Sequence, residues 1–259
     1  MDMLEALRLQ WEWGADEALQ EAPQDRRIAP SSVAAMPPAP RPASKTASAL
    51  PQGPAEARKI AESCETLAEL EAALQRFTDC ALRDTATQMV FADGAADAKL
   101  IIIGEAPGAE EDRAGKPFVG AAGQLLDRML ASIGLDRTKV RIINTVPWRP
   151  PGNRSPTDTE IGLCLPFLHR QIALIHPNAL LVLGAVAAKA LLPAEGATGI
   201  RRLRGAWRHI EITGLDAPLL CLPSYHPAYL LRTPMAKSES WQDFLRLREW
   251  LETGILTKS

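Results

Sequence analysis

Residues 98–120 read AKLIIIGEAPGAEEDRAGKPFVG, and this stretch decides the fold. Its first part, AKLIIIG, is mostly apolar and ends at a glycine, which predicts a buried β-strand. A turn with a proline and a further glycine follows, and a helix can begin after it. Strand, glycine turn and helix also build phosphate-binding loops. This turn instead carries four acids, which would repel a phosphate: Glu105, Glu110, Glu111 and Asp112.

Three further strand candidates follow along the chain, and helical patterns separate them. They are KVRIINTV at 139–146, ALLVLG at 179–184 and APLLCLPSYH at 217–226. Strands that alternate with helices predict parallel βαβ units with right-handed crossovers. We therefore expect an α/β fold, a three-layer sandwich with a short central parallel four-stranded sheet flanked by helices. Ligands bind outside the carboxyl ends of such strands, which selects the loops after Ile103, around Asn144 and around His226.

Composition divides the 259-residue chain into three parts. Residues 1–21 have the spacing of a short amphipathic helix. Residues 22–57 are rich in Pro, Ala and Ser and cannot bury enough apolar surface to offset the entropy of ordering, so they are predicted to form a disordered linker. Residues 58–255 carry the predicted folded domain, and one helix is expected over 57–77. A short helix on a disordered tether suggests docking to a protein partner.

Charge and cysteine content favour a cytoplasmic protein. The N-terminus has early acids and no long apolar stretch, so neither a signal peptide nor a membrane span is predicted. The net charge is −2, and arginines concentrate at 141–154 and 201–208. These arginines form a basic face or simply solvate surface loops. The scattered cysteines, which include no CxxC pair, are expected to be reduced thiols: Cys64, Cys80, Cys164 and Cys221.

Three long segments, in this order and spacing, carry a resemblance to a known family. They are GEAPGAEEDRAGKPFVGAAGQLL at 104–126, NTVPWRPPGNRSPTDTE at 144–160 and SYHPAYLLR at 224–232. Together they resemble the signature segments of the family 4 uracil-DNA glycosylases. The resemblance implies a monofunctional enzyme of base excision repair, which hydrolyses the N-glycosidic bond of flipped-out uracil and leaves an abasic site. Its partner would be uracil-containing DNA, single- or double-stranded, and we expect a monomer, nucleoid-associated in a bacterium.

The resemblance assigns the base pocket to four positions. Phe118 corresponds to the ring on which the flipped base stacks, although a core aromatic is the alternative. Asn144 corresponds to the carboxamide that reads uracil, because it offers a donor and an acceptor side by side; an asparagine at a strand end is otherwise a turn former. Ala106 stands where other families place an aspartate. Gly108 stands where they place a tyrosine that excludes the thymine methyl group.

Catalytic roles follow from the same resemblance and from the chemistry of the leaving base. His226 matches the histidine beside uracil O2, whose hydrogen bond would strengthen as negative charge develops; capping the strand is the alternative. The sugar approaches an oxocarbenium ion, which a carboxylate stabilises while it orients water. Glu105 is the leading candidate for that carboxylate and Glu111 the second. Glu111 is also a candidate for the rejection of thymine.

DNA binding is expected from side chains at the rim of the site: Arg149, Arg154, Leu230, Leu231 and Arg232. The arginines, with those at 201–208, supply sequence-independent attraction to phosphates. One of the two leucines would act as an apolar wedge in the vacated base stack, although the start of a helix explains them equally well. Backbone amides near Gly108 and Ala228 are further candidates for phosphate contacts.

The sequence departs from the family at its usual metal centre. Family 4 enzymes usually hold a 4Fe–4S cluster on four cysteines, and four thiolates are the normal requirement for one. The corresponding positions here are Phe77, Cys80, Trp148 and Cys164. Neither aromatic residue can ligate iron, so we expect no cluster and no other cofactor. Phe77 and Trp148 are expected to form an apolar plug in its place.

Two other functions are compatible with parts of this pattern. A non-catalytic module of the same fold would bind uracil-containing or single-stranded DNA for a repair or replication partner. The presence of both Asn144 and His226 favours the enzyme over this module. An unrelated nucleotide-binding hydrolase would need a basic phosphate cradle, which the acidic loop at 105–112 does not provide.

Overall fold

A mixed six-stranded sheet forms the centre of the fold in the computed structural model, which describes residues 53–196 and 198–256. The strands are β1 (Asp93–Gly94), β2 (Leu100–Gly104), β3 (Arg141–Asn144), β4 (Ala179–Leu183), β5 (Arg208–Ile210) and β6 (Leu219–Ser224). Their order across the sheet is β1-β3-β2-β4-β6-β5. The four predicted strands β3, β2, β4 and β6 run parallel in the middle.

The predicted central sheet of four parallel strands is present, and one short strand extends it at each edge. β1 pairs with β3 and β5 pairs with β6, and both pairings are antiparallel. β1 has two residues and β5 has three, and both are largely polar. Segments this short show no period-two alternation, so the pattern that identified the central strands could not reveal them.

Helices connect the strands and close the chain. They are α1 (Gly53–Glu62), α2 (Leu67–Arg76), α3 (Leu82–Thr85), α4 (Ala109–Ala114), α5 (Ala121–Ala131), α6 (Asp158–Ile175), α7 (Ala185–Leu191), α8 (Pro193–Gly196), α9 (Ile200–Leu203), α10 (Pro227–Arg232) and α11 (Lys237–Thr253). Short 3-10 turns lie at Pro151–Asn153 and Pro234–Ala236. None of the helices in the described part of the chain is both long and apolar enough to cross a membrane.

Both faces of the sheet are covered, which gives the predicted three layers. Successive residues of a strand point to opposite faces. Along β2, Ile101 and Ile103 join an apolar cluster that includes residues of α6 and α7. Leu100 and Ile102 join a second cluster, which includes residues of α5 and α11. Every residue of β2 and β4 is buried, as expected for central strands covered on two faces.

The N-terminal boundary of the folded domain differs from the prediction. The helix expected over 57–77 is two helices, because Thr66 begins α2 with a capping box. α1 begins at Gly53, so residues 53–57 do not belong to the linker. Ala57 is fully buried in an apolar cluster that includes Ile161 of α6, which anchors this first turn. The helix predicted at 1–21 and the remaining linker lie outside the described residues.

Candidate active site

A cavity of about 450 Å³ opens at the carboxyl end of the parallel strands, where the three selected loops meet. Most of the predicted site residues line it: Glu105, Ala106, Gly108, Glu111, Phe118, Asn144, Arg154, His226 and Arg232. Asn153, Ser155 and Tyr229 also line it and were not predicted. His226 caps α10 and Tyr229 lies three residues later, within the first turn of that helix. This spacing brings both side chains to the same side. That spacing was a usable signal in the sequence.

The two predicted base-contacting side chains meet at the end of β2. Gly104, the last residue of β2, is paired with Asn144, the last residue of β3. A Cβ atom on Gly104 would lie 2.5 Å from Asn144 Oδ1 and 2.7 Å from the Phe118 ring. Only a glycine therefore lets both side chains occupy these positions. The sequence pattern identified this glycine as the end of a strand, and its packing role was not predicted.

Phe118 is a wall of the cavity as well as a core residue. Its side chain is buried, and it belongs to the apolar cluster on the α5 side of the sheet. The Phe118 and His226 ring centroids lie 5.3 Å apart with an interplanar angle of 27°. That spacing leaves no room for a base between the two rings, since each stacking interface needs about 3.5 Å. A base stacked on Phe118 would therefore have to lie beside His226, against the remaining part of the Phe118 ring.

Glu111 is held in place by backbone amides from two segments. Its Oε2 accepts from the amide of Gly108 at 3.0 Å, and its Oε1 accepts from those of Val119 and Gly120 at 3.0 and 2.9 Å. A Cβ on Gly108 would lie 2.8 Å from Oε2. The carboxylate thus fills the space beside Gly108 and ties the turn after β2 to the loop that carries Phe118.

Glu105 differs from Glu111 in having an unengaged carboxylate. Its backbone carbonyl accepts from the amide of Val146 at 3.1 Å, which fixes the residue beside the end of β3. Within residues 53–196 and 198–256, its side chain has neither a hydrogen bond nor an ion pair, and it lines the cavity. Of the two predicted carboxylates, Glu105 is the one available to a ligand. Asp112 is engaged elsewhere, because it accepts hydrogen bonds from the amide and hydroxyl groups of Thr87.

His226 begins helix α10 and is oriented by its own backbone. Its Nδ1 accepts from the amide of Ala228 at 3.1 Å, so the neutral ring carries its proton on Nε2. Burial lowers the pKa of His226 to about 4, and the positive charge of Arg232 acts in the same direction. Glu111 opposes this effect. At neutral pH the residue is therefore an uncharged imidazole that offers Nε2–H as a donor.

The predicted arginines at the rim differ in the protein partners that their side chains already have. Arg154 donates hydrogen bonds of 2.9 and 2.7 Å to Glu160. These hydrogen bonds from Arg154 lower the pKa of Glu160 to about 2. Arg149 donates to Asn153 Oδ1 at 2.7 Å. Arg232 is exposed at the cavity mouth, and its side chain has no ion pair within the part of the chain that the structure describes. Of these three arginines, Arg232 is thus the one most available to a phosphate.

The two candidate wedge leucines differ in their exposure to solvent. Leu230 is 1% exposed and packs in a cluster with Leu125 and Tyr225, so it cannot enter a base stack. Leu231 is 40% exposed and remains compatible with that role.

Two of the four arginines at 201–208, and both backbone amides proposed as phosphate contacts, already have partners in the fold. Arg204 is bound to Asp243, and Arg208 is bound to Glu195, so neither is available to DNA. The amide of Gly108 is taken by Glu111. The amide of Ala228 is likewise taken, by the imidazole beside it. The partners of the two arginines are distant in the chain, so the sequence does not show them, whereas the two amides are taken by side chains only three and two residues away.

The four positions of the family's metal centre lie together in one apolar cluster: Phe77, Cys80, Trp148 and Cys164. The Phe77 ring packs against that of Phe167, with centroids 5.1 Å apart. A hydrogen bond between the two thiols lowers the pKa of Cys80, and this bond and burial raise the pKa of Cys164. Across the described residues, no group of three or more His, Cys, Asp or Glu side chains could hold a metal ion.

An aromatic wall, a carboxamide and a neutral imidazole at the ends of parallel strands define an α/β protein with a nucleobase-binding site. The chain belongs to the uracil DNA glycosylase superfamily, whose family model matches residues 91–246. It is 39% identical to the type-4 uracil-DNA glycosylase of Pyrobaculum aerophilum, over 68% of this chain and 90% of that protein. It is 38% identical to the type-4 enzyme of Archaeoglobus fulgidus, over 71% and 93%. The corresponding enzyme of Thermotoga maritima is 37% identical, over 65% and 84%.

Proposed function

We propose that the protein is a uracil-DNA glycosylase, which hydrolyses the N-glycosidic bond of uracil extruded from DNA and leaves an abasic site. The observation that carries this proposal is the convergence of Asn144, Phe118 and His226 on one cavity at the strand ends. The type-4 uracil-DNA glycosylases to which the chain is similar support the same reaction.

Uracil is recognised by the carboxamide of Asn144. Its Oδ1 can accept from uracil N3–H while its Nδ2 donates to O4, and cytosine reverses both groups. Asn144 is 8% exposed, so an unmatched base would leave buried polar atoms without partners. The Phe118 ring supplies stacking that does not depend on base identity. Specificity against cytosine therefore comes from Asn144.

His226 stabilises the departing base. His226 lines the cavity, and its Nε2–H is the neutral donor, because Nδ1 is committed to the Ala228 amide. A hydrogen bond from Nε2 to uracil O2 becomes stronger as the base gains negative charge in the transition state. One such preorganised donor is typically worth on the order of a hundredfold in rate.

The two carboxylates divide the remaining work. We assign Glu105 to the sugar, because a carboxylate without a protein partner can stabilise the oxocarbenium ion and orient the attacking water. Glu111 has both oxygens bound to backbone amides and forms a fixed wall beside Gly108. That wall, in place of the tyrosine of related families, is our candidate for the exclusion of the thymine methyl group.

We further propose that the protein folds and acts without a 4Fe–4S cluster. Only Cys80 and Cys164 remain of the four ligand positions, and a buried aromatic residue fills each of the other two. These residues do not fit a cluster that needs four thiolates. The packing of Phe77 and Trp148 supplies apolar contacts among the chain segments that a cluster would otherwise hold together.

The proposal is tested with oligonucleotides that contain a single uracil, thymine or cytosine, followed by alkaline cleavage at abasic sites. We expect cleavage only at uracil, with loss of at least about a hundredfold in rate for His226→Ala and Asn144→Ala. The matched controls are His209→Ala and Asn178→Ala, which change exposed residues of the same types outside the cavity. DNA binding without any cleavage by the wild type would instead support the non-catalytic module.

A further inference from the structure

Arg137 lies at the centre of a hydrogen-bonded cluster behind the loop that carries Phe118. Its guanidinium donates to the carbonyl oxygen of Pro117 at 3.1 Å and to that of Phe118. It also forms ion pairs with Asp93 and Asp127, each at 2.8 Å. The side chain is 25% exposed. Its donors are therefore directed at the protein, and it does not line the cavity.

Phe118 has a backbone conformation that requires support. Its φ is 55°, in the left-handed region that bulky residues avoid. Arg137 holds the carbonyl side of this residue. On the amide side of the following peptides, Glu111 accepts from Val119 and Gly120. Two charged groups thus hold the loop: Arg137 binds its carbonyl groups, and Glu111 binds its amide groups.

Helix α5 leaves space for the carbonyl group that this conformation turns inward. A Cβ at Gly123 would lie 1.6 Å from the Phe118 carbonyl oxygen. The same oxygen accepts a hydrogen bond from Arg137. Its position therefore depends on the absence of a side chain at Gly123 and on the guanidinium of Arg137. Phe118 itself lines the cavity, whereas Arg137 does not.

We propose that Arg137 is a positioning residue for base stacking: it fixes the left-handed backbone of Phe118 and thereby the plane of the ring that receives the extruded base. This inference rests on the proposed function of the cavity. Arg137 touches neither the base nor the reacting atoms. Without its two carbonyl contacts, the Phe118 peptide can relax to a common backbone conformation, and the ring then leaves the plane that stacking requires.

A double-mutant cycle on the full chain tests this role, with single-turnover excision from a uracil-containing oligonucleotide as the readout. Arg137→Gln is expected to slow excision by about ten- to a hundredfold, because small displacements of a positioning group cost about that much. In the Phe118→Ala background the same change is expected to cost less than about twofold. The control Arg128→Gln, at an exposed arginine of α5, should leave the rate unchanged.

Inhibition by free uracil gives a readout that DNA contacts do not influence. Arg137→Gln and Phe118→Ala should weaken that inhibition by similar factors, and the double variant should weaken it no further. If Arg137→Gln does not fold, Arg137→Lys and Asp127→Asn replace it, with the same non-additivity expected. If Arg137→Gln reduced the excision rate by the same factor in the wild-type and Phe118→Ala backgrounds, the positioning role would be overturned. An inactive wild type would contradict the proposed function instead, and binding of free uracil to the same variants would then decide the role of Arg137.

Discussion

The pH dependence of uracil excision follows from the environment of His226. The donor in the proposed mechanism is the neutral ring, whose Nδ1 accepts from the Ala228 amide. Protonation would place a second N–H at Nδ1, directed at that amide donor, and the ring would have to move. Lowering the pH therefore disrupts this arrangement, and the rate should fall as the imidazole becomes charged.

The position of that fall distinguishes a buried histidine from an ordinary one. Burial lowers the pKa of His226 to about 4, so the neutral form persists well below the usual pKa of about 6.5. At pH 5, a ring with a pKa of about 4 is about 90% neutral, whereas an ordinary histidine is about 3% neutral. The two cases differ by roughly thirtyfold in the active form at this pH.

The assay is single-turnover excision between pH 4 and pH 8, with saturating protein and one uracil flanked by thymines, which do not titrate in this range. We expect the rate at pH 5 to stay within about twofold of the rate at pH 7. His226→Gln should be slower and should lose the part of the acid limb that belongs to the imidazole, because glutamine does not titrate. His209→Gln, at an exposed histidine, should keep the wild-type profile. An acid limb with a midpoint near pH 6.5 would refute the reasoning.

Three further predictions concern the pocket, the core and the cluster. Gly104→Ala should reduce excision at least about tenfold, because its Cβ would displace both base-contacting side chains; Gly162→Ala, where the added Cβ meets open space, is the control in the same assay. Asp243→Ala should lower the free energy of unfolding in urea by about 3 kcal/mol, because it removes the buried partner of Arg204 and leaves this guanidinium only the half-exposed Glu239 as an acidic partner; Asp216→Ala, at an exposed position, should change it little, and equal effects would exclude the buried pair as the cause. Anaerobically purified protein should show no absorbance band near about 400 nm, and about four irons per chain would overturn the cluster prediction.

Much of the fold and the site was accessible from the sequence, because each depends on local pattern. The central strands are continuous apolar runs, and their polar carboxyl ends carry Asn144 and His226. Parallel strands bring those ends to one edge of the sheet, so residues far apart in the chain could be placed in one site. The family motifs added which side chains should face the base.

The remaining features depend on partners that a sequence does not display. Arg204 and Asp243 are 39 residues apart in the chain, and only their contact in the fold shows that this arginine is not a DNA ligand. The distinction between Leu230 and Leu231 depends on which side of one helical turn faces the core. Glu111 and Glu105 have the same chemistry, and only the three amides around Glu111 separate their roles.

The most direct test of the central claim is the mass of the DNA product together with the identity of the released base. A single-uracil oligonucleotide is incubated with the wild type and with Asn144→Ala, and both fractions are analysed by mass spectrometry without alkali. The account predicts equimolar free uracil and an intact strand lighter by the difference between uracil and water, with little of either from the variant. An unchanged oligonucleotide that remains bound to the wild-type protein would contradict it.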